Sequence, residues 1–441
     1  MTQASRPPIA AFLGLQGIPL NSGSSHGLDA AWTALAKGMP LEDGVVADLE
    51  HQARQDARAD SVVEAACLRA LGLAHLGDMT AALAEGRRAF RMGRTEKLRE
   101  CEVLAGVVLA RLRRLTGRAH LAARIAVALR DVAPTQWHPW VEWELMLASG
   151  AEVETPGPAL ELRGLLDAAK TGNPKDFAAK LGTLTQRLSG LAPMLEDLAR
   201  VQTALDPHAD PAAAGPDLEA WVRGHLSYGP PPWGLAALSH VDADAAEPES
   251  ESVALVVAAP GAPGRRLLSA AKGLAASVAD TATLPEEGPG GRSDALASTL
   301  ALLGPEGADD ELVFSVVYGF SYVPSLHRGT FDVALHRARA LLASHGEIRR
   351  EDGRISLELG QAVVLADPRS APATDARVLG HLARSGQLSA RELSRHLGVS
   401  LRTTQDALRG LVEDGACQQR RAGRSVLYDL EDTTFQPPTE I

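Results

Sequence analysis

Aromatic residues make up only 4% of this 441-residue chain, and cysteine occurs three times, as Cys67, Cys101 and Cys417. The cysteines are far apart and form neither a CxxC nor a Cys/His cluster, which argues against a disulfide framework and against structural zinc. No run approaches the ~18 consecutive apolar residues that a membrane-spanning helix needs. The opening residues, MTQASRPPIAAFLGLQG, have no basic region before their modest apolar stretch, so no signal peptide is expected and the expected location is cytoplasmic. Nucleotide-binding loops are missing as well. Ala259–Gly264 (APGAPG) and Gly288–Gly291 (GPGG) fit neither a P-loop nor a dinucleotide fingerprint, and there is no GxSxG, HExxH or EF-hand loop. His327 and His336 are nine residues apart and cannot form an i,i+4 metal pair. No enzyme activity, cofactor or metal is expected.

What is present is Ala, Leu and charge. Alanine and leucine dominate, which favours helix over sheet. Such a length exceeds what one core supports, so several domains are expected. Residues 27–205 read as almost wholly helical, with helices predicted at Leu28–Gly38, Leu41–Ala59, Ser61–Leu76, Met79–Met92, Glu96–Leu115, Ala119–Val132, Trp137–Ala148, Ala159–Lys170 and Lys175–Leu205. Ala70–Phe90 aligns with Ala110–Arg130 when Gly77 is set on Gly117, a period of 40. Each copy has a helix, a Leu-Gly or Thr-Gly turn and an Ala-rich helix, similar to tetratricopeptide (TPR) helix pairs. A TPR-like stack would offer a concave surface to a protein or small-molecule effector; a plain helical bundle is the other reading. Trp137, Trp140 and Trp143 recur at three-residue steps, which suits core packing or an aromatic recognition surface.

From 206 to 252 the text turns to proline and acid (DPHADPAAAGPD, YGPPPWG, DADAAEPESES), as expected of a linker with one short helix, Asp217–Leu226. A domain over 253–368 follows. It has an apolar β-prone run at Val253–Ala258, helices from Ser293 and near Asp309, and an apolar stripe of Phe331, Leu335, Ala338 and Leu342. Around that stripe lie Arg328, His336, Arg337 and Arg339, and Asp352-Gly353 signals a hairpin. A helix with interleaved arginines before a β-hairpin resembles the winged helix of response-regulator output domains. The local balance over Arg328–Arg354, six Arg against four acids, leaves DNA contact or a scaffolding role open.

The segment 374–430 is the most legible. A helix from about Asp375 puts Val378, Leu379 and Leu382 inside. Ser389 and Glu392 form a capping box opening a helix that buries Ala390, Leu393 and Leu397. Gly398-Val399-Ser400 makes a turn, and Ser400 caps a further helix. That helix would bury Leu401, Thr404, Leu408, Leu411 and Val412 and expose Arg402, Thr403, Gln405, Asp406 and Arg409. Gly415 ends it, and Arg421–Arg424 joins two β-prone runs. Between Arg377 and Arg424 nine arginines face four acids, against 44 basic and 55 acidic residues in the whole chain. An acidic protein with one basic island suggests a polyanionic partner.

SARELSRHLGVSLRTTQDALRGLVEDG and GRSVLYDL resemble the winged helix-turn-helix of bacterial transcription regulators. The resemblance implies a mainly α chain, an N-terminal TPR-like helical region followed by two small α+β winged-helix domains. It also implies a sequence-specific regulator of transcription whose partner is double-stranded DNA, acting as a homodimer on a two-fold operator, with no membrane role. By that resemblance Arg402, Thr403, Gln405 and Arg409 face the groove, Ser400 sets the helix start near a phosphate, and Arg420, Arg421 and Arg424 sit on the wing. Asp406 departs from the pattern, because a carboxylate there repels phosphate unless it reads cytosine or pairs with Arg402 or Arg409. The competing expectation is an adaptor in which both the helical repeats and the winged helices bind protein.

Overall fold

The computed structural model describes residues 26–116, 118–149, 153, 156–208, 254–268, 271–278, 291–370, 374–423 and 425–430. The expected helix at Asp217–Leu226 and the acidic part of the expected linker lie outside them. The chain is mainly helical, with small three-stranded sheets in its C-terminal part.

Among the described residues ten α-helices come first: α1 (His26–Ala36), α2 (Asp43–Gln55), α3 (Ala59–His75), α4 (Met79–Thr95), α5 (Arg99–Leu115), α6 (Ala119–Val132), α7 (His138–Ser149), α8 (Pro158–Thr171), α9 (Pro174–Arg187) and α10 (Ala192–Leu205). Each of α2 to α7 packs on the next. The sequence period of 40 is two steps of 20: α3, α4 and α5 are each 17 residues long and begin 20 residues apart. Every connection from α2 to α6 spans three residues. Its middle residue is left-handed at Ala57 (φ 51°), Gly77 (φ 87°) and Lys97 (φ 55°). The third residue donates its N–H back five positions, Arg58 to Ala53, Asp78 to Leu73, Leu98 to Gly93 and Arg118 to Arg113, at 2.8–2.9 Å. This is the Schellman closure, which satisfies orphan carbonyls at a helix end and reverses the chain in the fewest residues. Small residues mark the same step in successive helices: Ala66, Gly86, Gly106 and Ala126. A Cβ on Gly106 would come within 2.7 Å of Leu129 Cδ1, so the bare position makes room for that side chain between α5 and α6.

Trp137, Trp140 and Trp143 are buried in this core, so they serve packing and not a surface. Trp143 also ends on a buried ion network. Asp197 of α10 accepts from Arg111 (2.7 Å), Arg114 (3.0 and 3.2 Å) and Trp143 Nε1 (3.1 Å), while Arg114 also grips Glu144 (2.7 and 3.1 Å). Burial by itself would raise the Asp197 carboxyl, but Arg111 and Arg114, then Arg200, outweigh it and hold it well below the usual carboxylate range. The network ties α5, α7 and α10 together. The single helix expected over Lys175–Leu205 is in fact two. Gly190 at φ 88° and Pro193 in the first turn of α10 break it.

After the helical part come β1 (Ala254–Ala258), β2 (Arg265–Leu267), α11 (Lys272–Val278), α12 (Arg292–Leu303), β3 (Ala308–Asp309), α13 (Asp310–Tyr318) and α14 (Pro324–Leu342). They are followed by β4 (Gly346–Glu351), β5 (Arg354–Leu359) and β6 (Val363–Asp367). Strands β2-β1-β6 form an antiparallel sheet. Sequence reading expects β1 but neither β2 nor β6. Alternate residues of β1 belong to different cores: Leu255 and Val257 join the helical core, whereas Val256 and Ala258 join the core of α12–α14 and the β4–β5 hairpin. Asp367 at the end of β6 is fully buried, gripped by Arg266 and Arg369. The β4–β5 turn is Asp352-Gly353, both left-handed (φ 49° and 75°), the two-residue hairpin expected from that dipeptide.

The last unit holds α15 (Thr374–Ser385), β7 (Leu388–Ser389), α16 (Ala390–Leu397), α17 (Leu401–Glu413), β8 (Cys417–Ala422) and β9 (Ser425–Leu430). It repeats the plan of the unit before it: helix, two-residue strand, helix, helix, hairpin. Its sheet order β7-β9-β8 mirrors β3-β5-β4. The unit is docked on the helical part, with α15 against α6 and Leu121 against its core. Arg124 of α6 donates to the Leu430 carbonyl (3.3 Å) and lies 3.8 Å from Asp429. Among the described residues no helix is long and apolar enough to cross a membrane.

Candidate nucleic-acid interface

Three local devices aim α17. The capping box is complete: Ser389 accepts from Glu392 N–H, and the Glu392 carboxylate accepts from the Ser389 N–H (2.8 Å) and hydroxyl (2.7 Å). Those two hydrogen bonds hold the Glu392 carboxyl below its ordinary range. Gly398 ends α16 at φ 63°, and Ser394 Oγ donates to the Val399 carbonyl (2.8 Å) to brace the turn. Arg377 reaches from α15 to the Leu397 carbonyl (2.6 Å), pinning the end of α16.

On α17, Thr404, Ala407, Leu408 and Leu411 are buried; Arg402, Thr403, Gln405, Asp406 and Arg409 are exposed. Leu401 was expected inside but is 38% exposed, because the first residue after the cap has not yet turned towards the core. Ser400 caps the helix by accepting from Thr403 N–H (3.1 Å), and its hydroxyl is also 2.7 Å from Thr403 Oγ1. Both hydroxyls are therefore engaged in holding the helix start. Asp406 pairs with Arg409 (3.1 Å), with both side chains more than half exposed, which offsets the carboxylate within the protein. Among the described residues the side chains of Arg402, Arg420 and Arg421 carry no ion pair or hydrogen bond, and all three residues are exposed. Arg424 lies outside the described residues. The expected loop Arg421–Arg424 is shorter than read, since β8 continues through Ala422 and pairs it with Ser425. Arg391 and Arg395 of α16 are exposed too. They enter the sequence only as part of the charge balance, because nothing in their spacing distinguishes them from a solvated face.

The equivalent helix of the preceding unit is built differently. Buried Phe331, Ala334, Leu335 and Ala338 of α14 have the spacing of Thr404, Ala407, Leu408 and Leu411. That register sets Gly329, Thr330, Asp332, Val333 and His336 where α17 has Arg402, Thr403, Gln405, Asp406 and Arg409. Arg328, His336, Arg337 and Arg339 are exposed as expected, but Arg339 Nε donates to the Ile348 carbonyl (3.1 Å) and Arg328 lies 3.9 Å from Asp332. The hairpin arginines are matched as well, Arg349 with Glu347 and Glu358, Arg350 with Asp310 and Asp332. The preceding unit thus has most of its arginines satisfied internally, Arg337 excepted, whereas the last unit leaves several donors free for an outside acceptor. No cluster of three or more His, Cys, Asp or Glu among the described residues could hold a metal ion.

Compared with protein-family models, with curated proteins and with solved structures, the chain matches none of them.

Proposed function

We propose that the chain is a cytoplasmic, DNA-binding regulator of transcription, in which 374–430 is a winged helix-turn-helix and the helical part is a TPR-like receiver of a protein or small-molecule effector. The observation that carries this reading is the polar face of α17, where Arg402 and Gln405 are exposed and Arg402 has no partner among the described residues, flanked by Arg420 and Arg421 on β8. An exposed face with several free N–H donors suits base edges in a major groove, and strand arginines suit the phosphates beside it. Docking of α15 on α6 leaves that face uncovered. The unit 254–367 takes no part in reading DNA in this proposal, since its equivalent helix offers Gly329, Asp332 and Val333. Two copies of the chain would read the two halves of a two-fold site.

Footprinting on genomic fragments at moderate salt tests the reading. Arg402→Ala should weaken the protected site by about 1–3 kcal/mol and relax its sequence preference, whereas Arg421→Ala should weaken all sequences alike and reduce the salt slope by about one. Absence of protection at every protein concentration refutes it. An adaptor role is the second reading, favoured by the internally paired arginines of the 254–367 unit. Binding of a protein partner that survives high salt and is lost on Arg409→Ala would support it.

A further inference from the structure

The outermost side chains of α17 lie in one line. At about 100° of turn per residue, Arg402, Asp406 and Arg409 fall within an arc of about 60°, opposite the buried Thr404, Leu408 and Leu411. Gln405 lies beside that line, and the Thr403 hydroxyl is engaged with Ser400 (2.7 Å). Along the line the chemistry alternates. Arg402 and Arg409 can only donate hydrogen bonds, and the Asp406 carboxylate between them can only accept. Asp406 Oδ1 accepts from Arg409 Nη1 (3.1 Å), which holds the two side chains side by side. Asp406 Oδ2 and Arg409 Nε and Nη2 form no hydrogen bond among the described residues. Both side chains stay more than half exposed, so the pair faces outward with an acceptor and donors still unused.

We propose that Asp406 is a specificity-determining residue that demands a cytosine in the major groove, within a G·C-rich half-site read by Arg402 and Arg409. The inference rests on the DNA-binding reading and adds to it the class of duplex. A carboxylate facing duplex DNA is repelled by phosphates and by the N7, O6 and O4 acceptors of the groove. It finds donors only in the N4 amino group of cytosine and the N6 amino group of adenine. Adenine sets its N7 acceptor beside that donor and cytosine does not, so cytosine suits an acceptor-only group better. The arginines on either side have the complementary preference, for N7 and O6 of guanine. Because Arg409 is held beside Asp406, the pair offers an acceptor next to donors. That is the complement of a C·G pair, whose cytosine N4–H donor adjoins the guanine O6 acceptor. From Arg402 to Arg409 the helix rises about 10 Å, roughly three base-pair steps of about 3.4 Å, so the line covers about four base pairs. The same negative charge disfavours every duplex that lacks the cytosine, so Asp406 lowers non-specific binding while it directs specific binding.

The test selects randomised duplexes on the full wild-type chain, sequences them, and titrates the best one with wild type and variants at several salt concentrations. The selected site should hold a cytosine preferred over each other base by roughly tenfold. Asp406→Asn, at an exposed position, should leave the circular dichroism unchanged. It should shift the preference at that one position from cytosine to adenine, whose N6 and N7 an amide satisfies together. It should also bind unrelated duplexes more tightly and steepen the salt dependence by up to about one. N4-methylcytosine at the same position puts a methyl group where the groove-facing hydrogen was. It should weaken the wild type roughly tenfold and leave Asp406→Asn unaffected. If the wild type retains no duplex, the DNA reading fails and the inference falls with it. If a duplex is retained and Arg402→Ala weakens it, yet Asp406→Asn changes the preference at no position, or N4-methylation of every selected cytosine is without effect, the DNA reading stands and this inference alone is overturned.

Discussion

Replacing Asp197 by Asn tests how the helical part is held together. In the wild-type chain two buried arginines, Arg111 and Arg114, face two buried carboxylates, Glu144 and Asp197, and these four side chains are between 1% and 7% exposed. Asn keeps the shape and one acceptor oxygen but removes a charge, so Arg111 and Arg114 share Glu144 alone. Removing one partner of a buried pair typically costs about 3–5 kcal/mol. The retained acceptor towards Trp143 and Arg114 places this variant near the lower end, about 3 kcal/mol. Urea denaturation read by circular dichroism should give a lower midpoint with an unchanged slope. The pH dependence adds a second check. A carboxyl whose folded value is held below the unfolded one, about 3.9, stabilises the protein above that value and loses its contribution as pH falls towards the folded value. The difference between wild type and Asp197→Asn should therefore be full at neutral pH and shrink as pH drops below about 4. A loss under about 1 kcal/mol at neutral pH, or a difference that grows on acidification, would refute the reasoning.

Two further outcomes follow from the turns and from the docked C-terminal unit. Lys97 holds a left-handed conformation that costs an L-residue about 1–2 kcal/mol, while glycine gives back about 0.4–1 kcal/mol through the unfolded chain. Lys97→Gly should accordingly raise the melting temperature by a net gain of about 0.5–1 kcal/mol and Gly77→Ala should lower it, in calorimetry of each variant. Arg124→Glu sets a carboxylate against Asp429 and the Leu430 carbonyl. Amide exchange should accelerate along α6 and α15 but not at Leu408 and Leu411, and unchanged exchange at α15 would mean that this contact does not hold the unit.

Much of the last unit could be read from its residues because its signals are local. Ser389 and Glu392 sit three apart, Gly398 and Gly415 supply left-handed ends, and the polar face of α17 keeps helical spacing. The Asp352-Gly353 hairpin is local in the same way. Other features rest on partners distant in sequence or on residues that give no sign of their conformation. Arg111 and Arg114 read as ordinary surface arginines of a helix, and only Glu144 and Asp197, 30 to 86 residues on, make them interior. The period of 20 is masked because Ala57 and Lys97, unlike Gly77, do not announce a left-handed turn. β6 reads as a connection because its pairing strand, β1, lies more than a hundred residues earlier. The contrast between α14 and α17 emerges only once the two helices are set in register by their buried residues.

The strand β1 has a consequence of its own. Sliding it by one position would turn Leu255 and Val257 away from the helices and push Val256 into them, spoiling two interiors with a single error. It acts as a party wall between two rooms: neither side can be dismantled without stripping the lining of the other. Excising the helices that precede residue 254 would leave Leu255, Val257, Leu267 and Val364 bare.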